Sequence, residues 1–555
     1  MISLPNEPRY APETLLTAVR DEMEPKIGKI IVAGIVDGVI TDLQTPVGDY
    51  TSLSLVELVS EEGRPIYRRS VVFLLIMAAR ELFPEAEVIV RYSANKGLFC
   101  DIAMEGGPYA AIVQQIEARM RDIVAENRPI RKKDLLRSDA ARLFAGPHKR
   151  QNAKTALIEA MPQERISVYF CGDYYDDLLG PLVDATGSLG QFELTFSASG
   201  VLVRTPAASG RLPPEVKQPK LLSVLSESKR WADVLHCSYI PDLNRFIHEG
   251  QAGEIIRVSE ALHEKSIAEI ADRIARDIDR IRLVTIAGPS SSGKTSFAQR
   301  LRVQLRVNGI DPISISVDDY FRNRADTPLL PNGEYDYECL DAINVELLNT
   351  HLSALLAGQP VKMPRYNFIT GIRQDEAIGP IAIRPEQPIL IEGIHGLNEA
   401  LTPSIPREQK FKIYVSSLTH LNIDAHNRIP TTNARLLRRL VRDYQFRGAG
   451  ALHTLKKWPA VRDGEERFIF PFQEDADAVF NSALLYELAV LKKHAMPLLQ
   501  QVSPSVPEYT KAQSLLEFLP HFDHITNEDE IPNNSILREF IGRSCFFRSD
   551  GSLKV

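Results

Sequence analysis

The chain has 555 residues, 44% hydrophobic and 25% charged, with no low-complexity tract, which predicts a folded protein of two to four domains. A formal net charge of −7 excludes a general nucleic-acid-coating role, because phosphate contacts need clustered cations, but it leaves a local basic groove open. The five scattered cysteines (Cys100, Cys171, Cys237, Cys339, Cys545) form no CxxC pair and read as reduced thiols, not a disulfide frame or a zinc site.

In chain order, Ile27 to Ile40 offers β-branched strands and Leu53 to Val59 a short helical or extended stretch, giving a small β-rich module over 1–62. A second, α+β unit over 63–205 has an apolar helix from Val71 to Leu82, the alternating strand AEVIVRYS, a helix from Ala110 to Glu126, and strands at Ile166–Phe170 and Gln191–Phe196. Residues 206–280 are read as a connection: a Pro-rich linker, Thr205 to Lys220, and a helical bridge, Glu254 to Arg280. Alternating strands and helices then run to about residue 500 and predict an α/β domain with a parallel sheet flanked by helices, over 281–502. The remainder, 503–555, is mixed, with a loop at NEDEIPNN and a short helix at Ser535–Ile541, and is expected to pack on that domain. The opening MISLPNEPRYAPE has no signal pattern, and the longest apolar stretch, Val71 to Ala79, is about half a membrane span. A cytoplasmic location and no membrane contact are therefore expected.

The strand RLVTIA, Arg282 to Ala287, runs directly into GPSSSGKTS, which matches G-x-x-x-x-G-K-[ST]. Glycines at 288 and 293 let the backbone curl so that successive N–H groups point at phosphates, and the following helix adds its positive end. The residues of this site are Gly288, Pro289, Ser290, Ser291, Ser292, Gly293, Lys294, Thr295 and Ser296. Lys294 is expected to face solvent in the empty loop and to reach the β- and γ-phosphates of ATP, with the Thr295 hydroxyl on Mg²⁺. Phe297, Leu301 and Leu305 then form a helical stripe, and Asn308-Gly309 stops the helix.

The strand PISISV leads to Asp318-Asp319-Tyr320-Phe321, placing an acid at a strand's carboxyl end, where the ligand crevice of such sheets lies. A carboxylate there can accept the proton of an attacking hydroxyl; the residues alone leave Asp318 and Asp319 open. PILIEG ends in Glu392, a second candidate for Mg²⁺. Arg435, Arg438 or Arg439, and Arg442 fall on one helical face, with Arg447 after it, and could neutralise phosphoryl charge.

GPSSSGKT, SVDDYF, EYDYECLDA, PRYNFITGIR, ILIEGIH and RLLRRLVRDYQFRG occur in one order, and over roughly Arg282 to Leu499 the chain resembles the uridine kinase/phosphoribulokinase family of P-loop kinases. The resemblance implies that Asp318 is the general base and Asp336 a ribose-hydroxyl ligand. It implies that Tyr320, Tyr366, Phe368 and Arg373 stand on the nucleoside side. It further implies that Arg435, Arg438, Arg439 and Arg447 belong to a lid over the phosphates. Where uridine–cytidine kinases carry a pyrimidine-reading histidine, this chain has Gly371. That departure predicts a roomier, less selective base pocket, unless Asn367 or Arg373 supplies the contact.

The front half resembles the amino-terminal TGS and editing domains of threonyl-tRNA synthetase, through RRSVVFLLIMAARELFP (Arg68 to Pro84) and DLLGPLVDATGSLGQFEL (Asp177 to Leu194). At the places of that family's HxxxH and Cys/His pairs stand Arg69 and Phe73, then Leu178 and Leu182, so neither zinc binding nor deacylation is expected. Together the two resemblances imply an ATP- and Mg²⁺-dependent kinase of a nucleoside 5′-hydroxyl. The alternatives are another sugar or sugar phosphate as acceptor, or an RNA-binding, nucleotide-switched regulator. RNA or tRNA contact by the front half and a homo-oligomeric state stay open.

Overall fold

The structure is a computed structural model that describes residues 2–3, 10–94, 96–145, 149–197, 199–330, 333–367, 370–384, 386–419, 421–548 and 553. At the front, Ile2–Ser3, Leu53–Glu57, Ile31–Val36 and Val39–Thr41 pair in that order as an antiparallel sheet beside the helix Leu16–Ile27. The ambiguous stretch after Leu53 is thus a strand; Leu53 and Leu55 enter one apolar cluster and Val56 another, so the strand is covered on both faces.

A second antiparallel sheet follows, in the order Glu193–Ser197, Gly200–Arg204, Gly97–Ala103, Glu87–Ala94. It packs on the helices Gly63–Leu82 and Ala110–Glu126. Gly63–Leu82 is apolar all round from Val71 to Ala79, and every residue of that stretch is buried, which is how a core helix differs from a surface one. Arg131–Leu136, Arg165–Cys171 and Tyr174–Asp176 form a third, smaller sheet.

Three helices, Pro219–Val234, Ile240–His248 and Ala252–Arg276, lead to the second half. There five parallel strands run in the order Ile313–Ser316, Ile389–Glu392, Leu283–Ala287, Lys410–Ser416, Ala478–Asn481. Leu283–Ala287 is buried along its whole length, the mark of a central parallel strand covered on both faces. The register aligns Ile286 with Glu392 and Glu392 with Ser316, so the ends of three neighbouring strands meet at one crevice.

One apolar cluster joins the halves. It holds Leu157 and Ile166 of the front, Ile267 of the bridging helix, Ile286 and Phe297 of the parallel-sheet unit, and Ile536 and Phe540 near the carboxyl end. Among the described residues no helix is long and apolar enough to cross a membrane.

Candidate active site

Between the strand Leu283–Ala287 and the helix Lys294–Val307 lies the phosphate-type loop. Its two glycines are sterically required: a β-carbon on Gly288 would stand 1.9 Å from Val415 O, and Gly293 has φ +82°. The back of the loop is held by the helix Thr431–Arg447. Arg435 Nη1 donates to Ser290 O (3.1 Å) and Arg439 Nη1 to Ser290 Oγ (2.8 Å), while Ser290 N–H donates to Glu465 Oε1 (3.0 Å). Lys294 does not face solvent as expected. It is half-buried, and its ammonium donates to Gly288 O (2.9 Å) and Pro289 O (3.2 Å). Crowded by surrounding protein, the ammonium satisfies its donors on the nearest carbonyls, those of its own loop.

Thr295 Oγ1 donates to both oxygens of Glu392, at 3.2 and 3.3 Å. A hydroxyl and a carboxylate side by side make a set of hard oxygen donors that fits Mg²⁺. Desolvation, then the charge of Asp318, pushes the Glu392 carboxyl up to about 7, against the opposing pull of Lys294. Asp318 opens to the crevice on the single 3₁₀ turn Val317–Tyr320. Crowding by surrounding protein raises its carboxyl above the ordinary value, while Lys294, Arg447 and Arg442 pull the other way. Asp319 is engaged instead: its Oδ1 accepts from Tyr366 N–H at 3.3 Å. Glu338 joins the same field; desolvation pushes it up to about 7 against the attraction of Arg439.

The arginines divide in two, and the division corrects the reading of a single mobile lid. Arg435 and Arg438 are 1% and 0% exposed, paired with Glu465 and Glu487. Held by buried carboxylates, they buttress the loop from behind and cannot swing over it. Arg439, Arg442 and Arg447 share the single carboxylate of Asp443, at 3.2, 3.0 and 3.5 Å. Three guanidiniums on one carboxylate leave positive charge uncompensated, and repulsion from Arg442 pushes Arg447 down to about 10.

Tyr366 is buried against Phe321, with ring centroids 5.5 Å apart, and Phe321 meets Tyr337 at 5.8 Å. Phe368 lies outside the described residues. Tyr320 is placed differently from its expected role: its ring is fully buried and its hydroxyl shares a hydrogen bond with His351 Nδ1 (3.0 Å), because the turn that exposes Asp318 sends the next side chain but one into the core. Arg373 is tied down by Asp375 (2.6 Å) and Phe321 O (3.1 Å). The Asp336 Oδ1 caps a turn, accepting from Glu338 and Cys339 N–H at 3.1 and 3.2 Å.

The space beside Gly371 is not empty, contrary to the expectation of a roomier pocket. A β-carbon on Gly371 would meet Arg324 side-chain atoms at 2.7 Å, and Arg324 Nε donates to Tyr337 OH (3.2 Å). An arginine from another loop takes the volume that a side chain at 371 would fill. Arg324 in FRNRAD and Glu338 in EYDYE carried no pattern in the sequence beyond standing next to residues already chosen. Glu465 and Glu539, which also touch the loop, lie 175 and 243 residues from their partners there.

In the front half, Phe73, Leu178 and Leu182 are core residues, and Arg69 Nη1 donates to Pro181 O (2.9 Å). Among the described residues no group of three or more His, Cys, Asp and Glu side chains is placed to hold a metal ion.

Residues 283–487 match the family described as "Phosphoribulokinase / Uridine kinase family". The front half is similar to threonine–tRNA ligases: 32% identical over 168 residues to that of Pelobacter propionicus, covering 30% of this chain and 26% of the relative. Similarity to the enzyme of Acidithiobacillus ferrooxidans is 34% over 184 residues, covering 33% and 28%. The chain thus spans about a quarter of the length of these relatives. A solved chain described as "a Possible Uridine Kinase from Bacillus stearothermophilus" is 20% identical, with a TM-score of 0.26, over 38% of this chain and 98% of that one.

Proposed function

Proceeding from residues 283–487 as a domain of the phosphoribulokinase/uridine kinase family, we propose that the protein transfers the γ-phosphate of ATP to the 5′-hydroxyl of a nucleoside. The observation that carries the reading is one crevice holding Lys294, the Thr295–Glu392 pair, the open carboxylate of Asp318 and the three guanidiniums that share Asp443. Opposite charges left unneutralised in a crevice are arranged for a ligand that supplies the missing ones.

In this reading the amides from Gly293 to Ser296 receive the phosphates, and Lys294 leaves its loop carbonyls for the β- and γ-oxygens. Thr295 and Glu392 would hold Mg²⁺, which supplies charge neutralisation across the β- and γ-phosphates. Asp318 accepts the proton of the attacking hydroxyl, and its raised affinity for a proton suits that task near neutral pH. Arg439, Arg442 and Arg447 neutralise charge on the moving phosphoryl group, while Arg435 and Arg438 fix the loop.

The acceptor's ring stands with the aromatic group of Phe321, Tyr337 and Tyr366, where Arg324 is the polar reader. A guanidinium only donates, so it favours base edges that present carbonyl acceptors. Purified protein with MgATP and equal concentrations of uridine, cytidine, adenosine, guanosine and inosine tests this. Nucleoside 5′-monophosphates should form, with uridine, guanosine and inosine preferred by about tenfold over adenosine and cytidine. Arg324 also favours a second reading, a phosphorylated sugar as acceptor, since it is the basic anchor such a substrate needs. Turnover of a sugar phosphate but of no nucleoside would replace the first reading with the second.

A further inference from the structure

A segment near the carboxyl end reaches into the phosphate loop. Glu539 Oε2 accepts from Ser296 N–H (3.1 Å) and from Ser296 Oγ (2.7 Å). Ser296 is the third residue of the helix Lys294–Val307, so its N–H is a first-turn donor with no partner inside the helix. Such donors are the ones an anion takes at a helix N-terminus. A few atoms away, Ile536 covers the loop itself: a β-carbon on Gly293 would stand 2.4 Å from Ile536 Cγ2.

The segment is held in place. Ile536, Leu537 and Phe540 are fully buried, and Phe540 packs against the Arg438 guanidinium at 5.1 Å. Arg538 donates to Glu528 O (2.6 Å) and Ile531 O (2.9 Å). Glu539 therefore sits on an ordered, packed element, and its carboxylate is aimed at the loop helix by that packing.

We propose that Glu539 stands in for a nucleotide phosphate at the Ser296 amide, so that the 535–541 segment closes the loop until a nucleotide displaces its carboxylate. This rests on the P-loop reading above. Charge explains why the two states exclude each other. Lys294 already feels the charges of Glu392, Asp318 and Glu539, with Arg442 opposing them. A bound nucleotide brings further negative charge to the same ammonium and needs the Ser296 amide. Keeping Glu539 there would place like charges side by side without a donor between them. The segment also packs on the arginine helix through Arg438, so its release would be felt where the surplus guanidiniums lie.

The experiment measures MgATP affinity of the full chain and of Glu539→Gln by calorimetry, and hydrogen exchange of the unmodified protein with and without MgATP. Glu539→Gln removes the competing charge while keeping the shape, and should bind MgATP about tenfold more tightly, as expected when a closed state withholds most of the protein from the ligand. In the unmodified protein, saturating MgATP should speed amide exchange across 535–545 while slowing it at 288–296. The exchange arm needs no variant, so it stands if Glu539→Gln folds poorly. Equal affinity of the two proteins, with 535–545 unchanged by MgATP, overturns the gate and leaves the P-loop reading intact. Weaker binding by Glu539→Gln also overturns it, making Glu539 part of the nucleotide site. Failure of both proteins to bind MgATP, with no change at 288–296, sinks the P-loop reading and the gate with it.

Discussion

Two places in this molecule collect charges at the edge of a cavity, and they treat them in opposite ways. In the front half a cavity of about 320 Å³ is lined by Arg80, Lys154, Tyr174, Asp176 and by His426 from the loop before the arginine helix. Its central charges, Asp176 and Lys154, are paired with each other. Asp176 is paired with Lys154, accepts from Tyr174 OH (3.0 Å) and lies 2.6 Å from His426 Nδ1, while Lys154 also donates to Asp177 O (2.7 Å). In the crevice at the phosphate-type loop, among the described residues, Lys294 bonds to two carbonyls, three guanidiniums share one carboxylate, and burial pushes Glu392 and Glu338 up to about 7. A network complete without a ligand stabilises a fold. An incomplete one costs stability and is kept for a ligand to complete.

The sharpest test of that contrast is catalytic. Lys294→Ala and Asp318→Asn should each lower kcat by about 10²–10⁴-fold, with melting temperature nearly unchanged, since neither side chain is packed in the core. Steady-state kinetics beside thermal unfolding checks both halves of the statement. A near-normal kcat in Asp318→Asn would move the base role to Asp319 or Glu338.

The division of the arginines predicts a second split. Arg435→Ala leaves Glu465 buried and unpaired and should cost about 3–5 kcal/mol of stability. Arg442→Ala should cost little stability but slow turnover about 10²-fold by removing charge from the phosphoryl side. If denaturant unfolding shows both variants equally stable, the separation of buttress from phosphate ligand fails.

In the front half, Asp176→Ala would remove the close carboxylate of buried Lys154, leaving it the Asp177 carbonyl and Asp424 at 3.8 Å. A loss of about 3–5 kcal/mol is expected, with kcat per folded molecule unchanged. A fall in kcat without a fall in stability would mean that the front network acts on catalysis.

The smallest expected effect is a pH dependence. Desolvation pushes buried Asp177 up to about 7, against the attraction of Lys154. A carboxyl with a raised folded-state value stabilises most at low pH, and that contribution is lost as pH rises from about 4 through about 7. Asp177→Asn should therefore be near neutral at pH 4 and stabilising by about 1–2 kcal/mol at pH 8. Equal melting-temperature shifts at the two pH values would show that Asp177 ionises freely in the fold.

Local sequence was enough for the loop Gly288 to Thr295, its flanking strand and helix, and the parallel alternation around them, because each depends on neighbours a few residues away. The same local rules found the apolar helix after Val71. They did not tell a buttressing arginine from a phosphate-facing one. Arg435, Arg438, Arg439 and Arg442 share one helical pattern with Asp443, and only Glu465 and Glu487, brought up by other helices, separate the buried pair from the others. The same holds for Arg324 beside Gly371 and Glu539 at Ser296, where the deciding contacts join residues 47 and 243 positions apart. Motif and periodicity fix what a backbone segment can do alone; which charge is neutralised, and which is left for a ligand, depends on burial and long-range packing, and tertiary structure decided it.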